Sequence, residues 1–262
     1  MGEHPLTGRT VLVTGASSGI GRACAEAFAD AGCRLLLLAR RGERLAELVD
    51  ALRARGAEAH ARVCDVRRLA EVEAALAELP DGWEGVDVLV NNAGLSRGLA
   101  PVHEGDVHDW EEMIDTNVKG LLHVTRVVLP GMVARGSGHV VQIGSIAGRE
   151  VYPNGNVYCA TKHAVDAITK GLRLDLCGTG VRVSTVDPGL VETEFSVVRF
   201  HGDEERARSV YRGMTPLTGA DVADAVLWVV SRPPHVQVAE VLLLPADQAS
   251  STRVHRRDET AP

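Results

Sequence analysis

Residues 11–21 read "VLVTGASSGIG". An apolar run ends in Thr14 and three glycines follow, Gly15, Gly19 and Gly21. A helix-like stretch, "GIGRACAEAFADAG" (19–32), comes next. Glycines between a strand and a helix let backbone N–H groups approach a phosphate, and the helix N-terminus adds partial positive charge. The spacing here is G-x-x-x-G-x-G rather than G-x-G-x-x-G. A tight turn alone would also use glycine, but strand–turn–helix is the context that a phosphate loop requires.

The same unit repeats outward from this stretch. "CRLLLLAR" (33–40) precedes "GERLAELVDALRARG" (42–56), whose Leu and Val recur at helical spacing until Gly56. "AEAHARVCDV" (57–66) precedes "RRLAEVEAALAELP" (67–80), and "VDVLVNNAG" (86–94) is a further buried strand. Helical segments are expected over 106–115 and 116–135, then a strand in "GHVVQIGS" (138–145) and a helix over 157–177. "VRVSTVDPG" (181–189), a helix near 219–231 and "EVLLLPA" (240–246) complete the pattern. Continuous Leu/Val runs mark strands covered on both faces. Alternation of this kind predicts one α/β domain with a doubly wound, mostly parallel sheet. Two stretches break the rhythm: 190–218, loop-like and helical, and a polar C-terminal tail from Ala246, "ADQASSTRVHRRDETAP", expected to be partly disordered.

Composition narrows the partners. With 262 residues, 45% hydrophobic and 24% charged, the chain has the make-up of a globular domain. A net charge of −7 argues against a nucleic-acid or anionic-membrane surface. No apolar run approaches a membrane span, and "MGEHPLTGRT" lacks a signal-peptide core, so a cytoplasmic location is expected. Cys24, Cys33, Cys64, Cys159 and Cys177 have no metal-ligand spacing and read as reduced thiols. His123, His139 and His163 likewise lack metal spacing, and no metal is expected.

"NVYCATKHAV" (156–165) sets Tyr158 and Lys162 four apart, on one helix face. A phenol with a reference pKa near 10 is a poor acid–base group at neutral pH. Lowering it by about three units takes roughly 4 kcal/mol of phenolate stabilisation, which a nearby ammonium can help supply. Ser145 lies thirteen residues upstream, at a strand end, where open α/β sheets bind ligands; alone it would read as a cap or turn residue. Cys159 points about 100° away from Tyr158 and reads as packing.

Taken together, "TGASSGIG" (14–21), "NNAG" (91–94), Asn117 in "DTNVKG", Ser145 in "GSIAG", "YCATK" (158–162) and "DPG" (187–189) resemble, in order and spacing, the short-chain dehydrogenase/reductase family over essentially the whole chain. "LARRGERLAEL", "MIDTNVKGL", "GNVYCATK" and "PGLVETEFSVVRFHGD" are similar to its NADP-dependent 3-hydroxy acid (serine 3-) dehydrogenases. The segment "GREVYPNGN" departs from that group. The resemblance implies a Rossmann fold with a seven-stranded sheet and helices on both faces, spanning residues 1–245 with a substrate lid at about 190–218.

It also implies a catalytic set of Asn117, Ser145, Tyr158 and Lys162. Tyr158 would be the proton donor, Lys162 its tuner and ribose ligand, Ser145 a hydrogen-bond donor to the substrate oxygen, and Asn117 the holder of a relay water. Cofactor contacts are expected from Gly15, Ser17, Ser18, Gly19, Ile20 and Gly21, and from Asn92, Ala93 and Gly94. Asp65 and Val66 would face the adenine, although Asp65 also suits a helix N-cap. Pro188, Gly189, Val191 and Thr193 would pack on the nicotinamide. Where NAD-binding relatives carry a carboxylate after the second strand, this chain has Ala39, Arg40 and Arg41. Guanidinium groups grip a 2′-phosphate, which points to NADP(H), although both arginines would also suit a solvated helix start.

Arg149, Tyr152 and Arg199 are candidate substrate contacts beside Ser145. The expected reaction is hydride transfer between NADP(H) and a small hydroxy or carbonyl compound, with a serine- or threonine-like 3-hydroxy acid in first place. An aldehyde or ketone reductase of a specialised pathway is the alternative, and a non-catalytic NADP sensor a remote one. Apolar residues on more than one face of the 106–135 and 157–177 helices, with the resemblance, suggest a homodimer or homotetramer.

Overall fold

The computed structural model describes residues 4–83 and 85–257. Seven strands form one sheet: β1 (Thr10–Thr14), β2 (Arg34–Ala39), β3 (Ala59–Val63), β4 (Val88–Asn91), β5 (Gly138–Ile143), β6 (Val181–Pro188) and β7 (Glu240–Leu243). Their order is β3-β2-β1-β4-β5-β6-β7, and every neighbouring pair is parallel. The Leu/Val runs explain this. Parallel strands are joined by helices that cover both faces, so successive side chains need two cores.

Val11, Val13, Leu35 and Leu37 point into one core, against Phe28 of α1 (Gly19–Asp30), Leu48 of α2 (Gly42–Ala54) and Val226 of α9 (Gly219–Val230). Leu12, Leu36, Leu38 and Leu89 point into the other. There they meet Val72 of α3 (Leu69–Ala77) and Val124 and Met132 of α5 (Leu121–Arg135). Each fully buried leucine contributes about 2 kcal/mol, and truncating Leu37 to Ala would cost about 2–5 kcal/mol.

Strand order reverses between β1 and β4. Chains leaving their C-terminal ends diverge there and open a crevice. Gly15 has φ +66° and Gly19 φ +53°, which favours glycine at both. A Cβ on Gly21 would lie 2.4 Å from the Gly15 carbonyl oxygen and from Asn92 Nδ2. Thr14 Oγ1 accepts from the N–H groups of Asn92 and Ala93, each at 3.0 Å, and so ties the two loops together.

The two helical segments expected over 106–135 form one continuous rod. After α4 (Val107–Ile114), residues Asp115–Gly120 adopt a wider π-helical turn before α5 begins. That turn faces Thr116, Asn117 and Gly120 into the protein. Gly120 permits it, because a Cβ there would stand 2.7 Å from Val66 Cγ2. The π turn has no hydrophobic periodicity of its own, so sequence pattern does not reveal it.

Residues 190–218 fold over the crevice, with α7 (Phe195–Arg199) and α8 (Glu204–Ser209). The β4–α4 loop and the first turn of α4 clasp this lid. Gly98 N donates to Arg199 O at 2.9 Å, Arg97 Nη1 donates to Val198 O at 2.7 Å, and His201 Nε2 lies 3.1 Å from Asp109 Oδ2.

The expectation of disorder in the tail is corrected for residues 246–257, which pack onto the domain; residues 258–262 lie outside the described ones. Gln248 is buried, its Oε1 accepts from Leu190 N at 2.8 Å, and it bridges to Val254. Glu150 Oε2 accepts from Ser251 N at 2.7 Å. A polar tail reads as solvated until its side chains are seen pairing with backbone groups elsewhere.

Candidate active site

A cavity of about 850 Å³ runs along the C-terminal ends of the strands. Gly15, Ser17, Ser18, Gly19 and Ile20 line one part, and Asn92, Ala93 and Gly94 continue the wall. Gly21 lies beneath this surface and permits its close packing. Ser18 is the N-cap of α1 but caps no amide. Its Oγ instead accepts from Arg41 Nη2 at 2.6 Å, and Ser17 Oγ accepts from Arg41 Nε and Nη2 at 3.1 Å.

Arg40 and Arg41 leave the end of β2 on either side of this wall. Arg40 pairs with Glu112 at 3.5 Å and Arg41 with Glu194 at 2.8 Å. Arg44, absent from the sequence-based set, also binds Glu194. Held close by these two guanidinium groups, Glu194 stays below its ordinary carboxylate pKa. The cluster presents cations where β2 ends, and it fits a dinucleotide with a further phosphate on its adenosine ribose.

Asp65 and Val66 line the same end. Burial pushes the Asp65 carboxyl up, but hydrogen bonds and charge from Arg67, with help from Arg40, outweigh it and hold the group low. Asp65 does not cap α3, whose N-cap is Arg68; its Oδ1 accepts from Arg67 N at 3.1 Å within the preceding turn.

At the other end stand Ser145, Tyr158 and Lys162. Ser145 follows β5, and its Oγ accepts from Ala147 N at 3.1 Å, which fixes its direction. Tyr158 and Lys162 come from the buried face of α6 (Asn156–Asp175). Burial raises the Tyr158 phenol, so it carries its proton at neutral pH; Arg199, then a hydrogen bond with Ser145, oppose that rise. Lys162 Nζ donates to Ile143 O at 2.9 Å, and burial lowers its pKa to about 8 against the pull of Asp187.

One cation acting on the Tyr158 phenol is Arg199, whose guanidinium lies 5.2 Å from the ring centroid. Sequence reasoning gave that task to Lys162 together with the oxidised nicotinamide ring. Asn117 sits in the π turn. It accepts from Leu95 N at 2.8 Å, and donates to Leu95 O at 2.8 Å and Thr161 Oγ1 at 3.0 Å. Both amide protons are thus engaged in fixing the crevice loop to α6.

Tyr152 and Arg199 meet in the cavity wall, with Arg199 Nη2 donating to Tyr152 Oη at 2.7 Å and Nε to Ser96 Oγ at 3.0 Å. Arg149, expected among the substrate contacts, does not join them. Its guanidinium is bound to Asp187 Oδ2 at 2.6 Å and Glu240 Oε2 at 2.7 Å, so it braces the ends of β6 and β7. The unusual "GREVYPNGN" segment is thereby accounted for in part: Arg149 braces strands, Glu150 holds the tail and Tyr152 orients Arg199.

Pro188, Gly189, Val191 and Thr193 line the cavity between its two ends. Sequence reasoning missed Leu95, Tyr211, Gln248 and Val254, which also line it. Leu95 was within reach, since it directly follows "NNAG"; nothing in the tail marked Gln248 or Val254. Cys159 is fully buried beneath Tyr158, and burial raises its thiol. Among the described residues no group of His, Cys, Asp and Glu has the arrangement of a metal site.

A glycine-walled, cation-tipped crevice leading to a buried Ser–Tyr–Lys set is the site of a nicotinamide-dependent oxidoreductase. The chain belongs to the short chain dehydrogenase family, whose model matches residues 9–203. It is 49% identical over 248 residues to the NADP-dependent 3-hydroxy acid dehydrogenase YdfG of Salmonella typhi, covering 94% of this chain and 99% of that protein. It is 46% identical over 249 residues to sulfoacetaldehyde reductase 2 of Chromohalobacter salexigens, covering 95% and 98%. Among solved structures, the closed form of serine dehydrogenase complexed with NADP+ superposes with a TM-score of 0.90 at 47% identity, covering 95% of this chain and all of the other.

Proposed function

We propose that this protein is an NADP-dependent dehydrogenase that interconverts a small 3-hydroxy acid and its 3-oxo counterpart. The observation that carries the substrate assignment is Arg199. Its guanidinium faces the cavity beside Tyr158 and Ser145, fixed by two neutral hydroxyls, with no carboxylate partner among the described residues. A guanidinium so placed suits a substrate carboxylate, which it can bind with two parallel hydrogen bonds. Relatives named for 3-hydroxy acids and serine support the same reading.

Ser17, Ser18, Arg40 and Arg41 would hold the adenosine phosphate, the glycine loop the pyrophosphate, and Lys162 the nicotinamide ribose. When bound, NADP(H) supplies or accepts the hydride. The chain's residues manage the proton and the developing charge. In reduction, Tyr158 gives its phenolic proton to the carbonyl oxygen while Ser145 donates a hydrogen bond to the same atom. In oxidation both steps reverse, and positive charge from Arg199 and Lys162 stabilises the phenolate that takes the alcohol proton. Asn117 keeps the π turn and the crevice loop in register with α6, and a relay water at its remaining acceptor position belongs to this proposal.

Residues 1–245 would form the catalytic domain, with 190–218 as its lid and the tail closing the site. A cytoplasmic homodimer or homotetramer is proposed, acting on small molecules rather than on nucleic acid or membrane. Exposed Ile114, Leu122, Val133 and Leu174 on α4, α5 and α6 favour self-association, and among the described residues no helix is long and apolar enough to cross a membrane.

The test is NADP+ reduction with a panel of 3-hydroxy acids, beside NADPH oxidation with simple aldehydes and ketones. Arg199→Met should raise KM for the acids about 10–100-fold, as loss of a charge-assisted hydrogen-bond pair requires. An unchanged KM would remove the carboxylate assignment. The aldehyde reductase reading has one supporting observation, the similarity to a sulfoacetaldehyde reductase, and a sulfonate would also suit Arg199. A non-catalytic sensor is disfavoured because Ser145, Tyr158 and Lys162 meet in one buried group.

A further inference from the structure

Lys162 is a buried cation whose Nζ donates to Ile143 O at 2.9 Å. A buried charge is unfavourable unless an opposite charge stands close to it. Gly144, the residue after Ile143, shows where that charge lies, because a Cβ on it would overlap Asp187 Oδ1. Asp187 is buried near the end of β6 and does not line the cavity. Thr185 Oγ1 donates to its Oδ1 at 2.6 Å, and Arg149 donates to its Oδ2 from Nε at 2.9 Å and Nη2 at 2.6 Å. Burial pushes the Asp187 carboxyl up, and Thr185, Arg149 and Lys162 oppose that rise. Arg149 also binds Glu240 at 2.7 Å, and Glu240 binds Arg173 of α6 at 2.9 Å. Charges of alternating sign thus run from Lys162 to the sheet edge and return to the helix that carries Lys162.

The other charged groups on elements packed against α6 are engaged elsewhere. On α4, Asp109 meets His201, Glu112 binds Arg97 and Glu111 is exposed. Asp115 of the π turn pairs with Lys119, and on α6 itself Asp166 pairs with Lys170. Glu150, after β5, holds Ser251 N, and Arg182, at the far end of β6, binds backbone carbonyls. Arg199 approaches from the lid and adds positive charge. Asp187 is the charge that acts on Lys162, and it opposes the lowering that burial imposes.

We propose that Asp187 is a positioning residue for the reaction: it is the counter-anion that keeps Lys162 charged one helical turn from Tyr158, and Arg149 and Thr185 hold it in place. The proposal rests on the reading of Lys162 as the group that steadies the Tyr158 phenolate. Arg199 and an oxidised nicotinamide ring both bring positive charge to this end of the cavity, which favours loss of the Lys162 proton. A fixed carboxylate offsets them.

The chain has three lysines, Lys119, Lys162 and Lys170, so each can be followed by NMR of protein labelled with 13C at the lysine ε-carbon. Lys119→Arg and Lys170→Arg assign the other two signals. In the unaltered protein Lys162 should titrate near 8. Asp187→Asn, which keeps the size and removes the charge, should bring that titration down by about one pH unit or more. A carboxylate that merely braced β6 would give the reverse, since a loosened site admits water and lets Lys162 rise toward about 10.4. An unchanged or raised titration therefore overturns the proposal. If Asp187→Asn does not fold, Arg149→Met carries the test. Loss of the cation beyond Asp187 should move Lys162 upward, and a downward move would overturn the pairing.

The folded variants are then assayed for NADP+ reduction with 3-hydroxypropionate across the same pH range. In Asp187→Asn the alkaline fall of kcat should move down with the Lys162 titration. A titration that moves while the kcat profile stays still overturns the reading of Lys162, and with it the part of Asp187 in the reaction. A titration that stays still overturns the charge pairing itself.

Discussion

The two ends of the cavity are built by different means. The cofactor end is made of backbone: Gly15 and Gly19 at positive φ, Gly21 with no room for a Cβ, and the first turn of α1. Its glycine turn and its Arg40–Arg41 pair lie within two successive strand–helix units, and the chain beyond β3 and β4 completes it with Asp65, Val66 and Asn92–Gly94. The end proposed for the substrate is lined by side chains gathered from afar, Tyr152, Tyr158, Arg199 and Gln248, with Ser96 holding Arg199. Backbone geometry can be specified by a local run of small residues, whereas a charge-lined wall depends on long-range packing that no local pattern records.

The largest effect that would test this division is Tyr158→Phe. It should lower kcat by about a thousand-fold, within the range for losing a general acid, while NADPH affinity measured by fluorescence titration changes little. A parallel collapse of NADPH binding would show that the two ends are not separable. Next in size, the double variant Arg40→Ala, Arg41→Ala should weaken NADP+ binding about 100-fold and leave NAD+ binding nearly unchanged, because only one of the two carries the 2′-phosphate. Equal losses for both cofactors would mean that the pair shapes the crevice instead.

Gln248→Leu removes the acceptor for Leu190 N and should raise the substrate KM about 10-fold through a loosened lid, with NADP+ binding preserved. A KM equal to that of the unaltered protein would remove the tail from the substrate end. The smallest effect is a control on both ends, at the N-terminal end of an interior strand, away from the cavity. His139 is buried in β5, with Nε2 2.8 Å from Ser184 Oγ, and burial, then Arg182, lowers its pKa to about 3.

The unfolded state takes up this proton near pH 6.5, whereas the folded state does so only near 3. Stability is therefore lost as pH falls through that window, by up to about 1.4 kcal/mol per unit. His139→Gln should flatten that slope in denaturant melts, without altering kcat or either affinity above pH 7. A slope that stays the same would assign the acid sensitivity elsewhere.

Much of the cofactor end was legible in sequence for the reason just given. "TGASSGIG" is a run whose residue types are dictated by backbone approach, and "LLLLARR" shows by its missing carboxylate what should bind there. Tyr158 and Lys162 were legible because helical spacing puts them on one face. Arg199 was placed at the substrate from its segment, but its position over the Tyr158 ring was not, since that depends on how the lid lands. Arg149 illustrates the opposite error. It neighbours Ser145 in sequence, yet the short turn after β5 directs it away to Asp187 and Glu240. The π turn that carries Asn117 inward was invisible, because one added residue in a helix leaves no compositional trace.

The seat of Gln248 against Leu190 bears on how the molecule is made as well as on how it works. The glycine crevice and its sheet partners β1, β2 and β4 all lie in the first half of the chain, and a domain under synthesis begins to organise from that end. The closing contact belongs to the last dozen or so residues described. A nascent chain can thus assemble its nucleotide-binding half early, but closes the reaction chamber only once Gln248 has been added. Removing residues 246–257 would take away the Gln248 and Ser251 contacts with Leu190 and Glu150 while leaving the glycine crevice its own backbone.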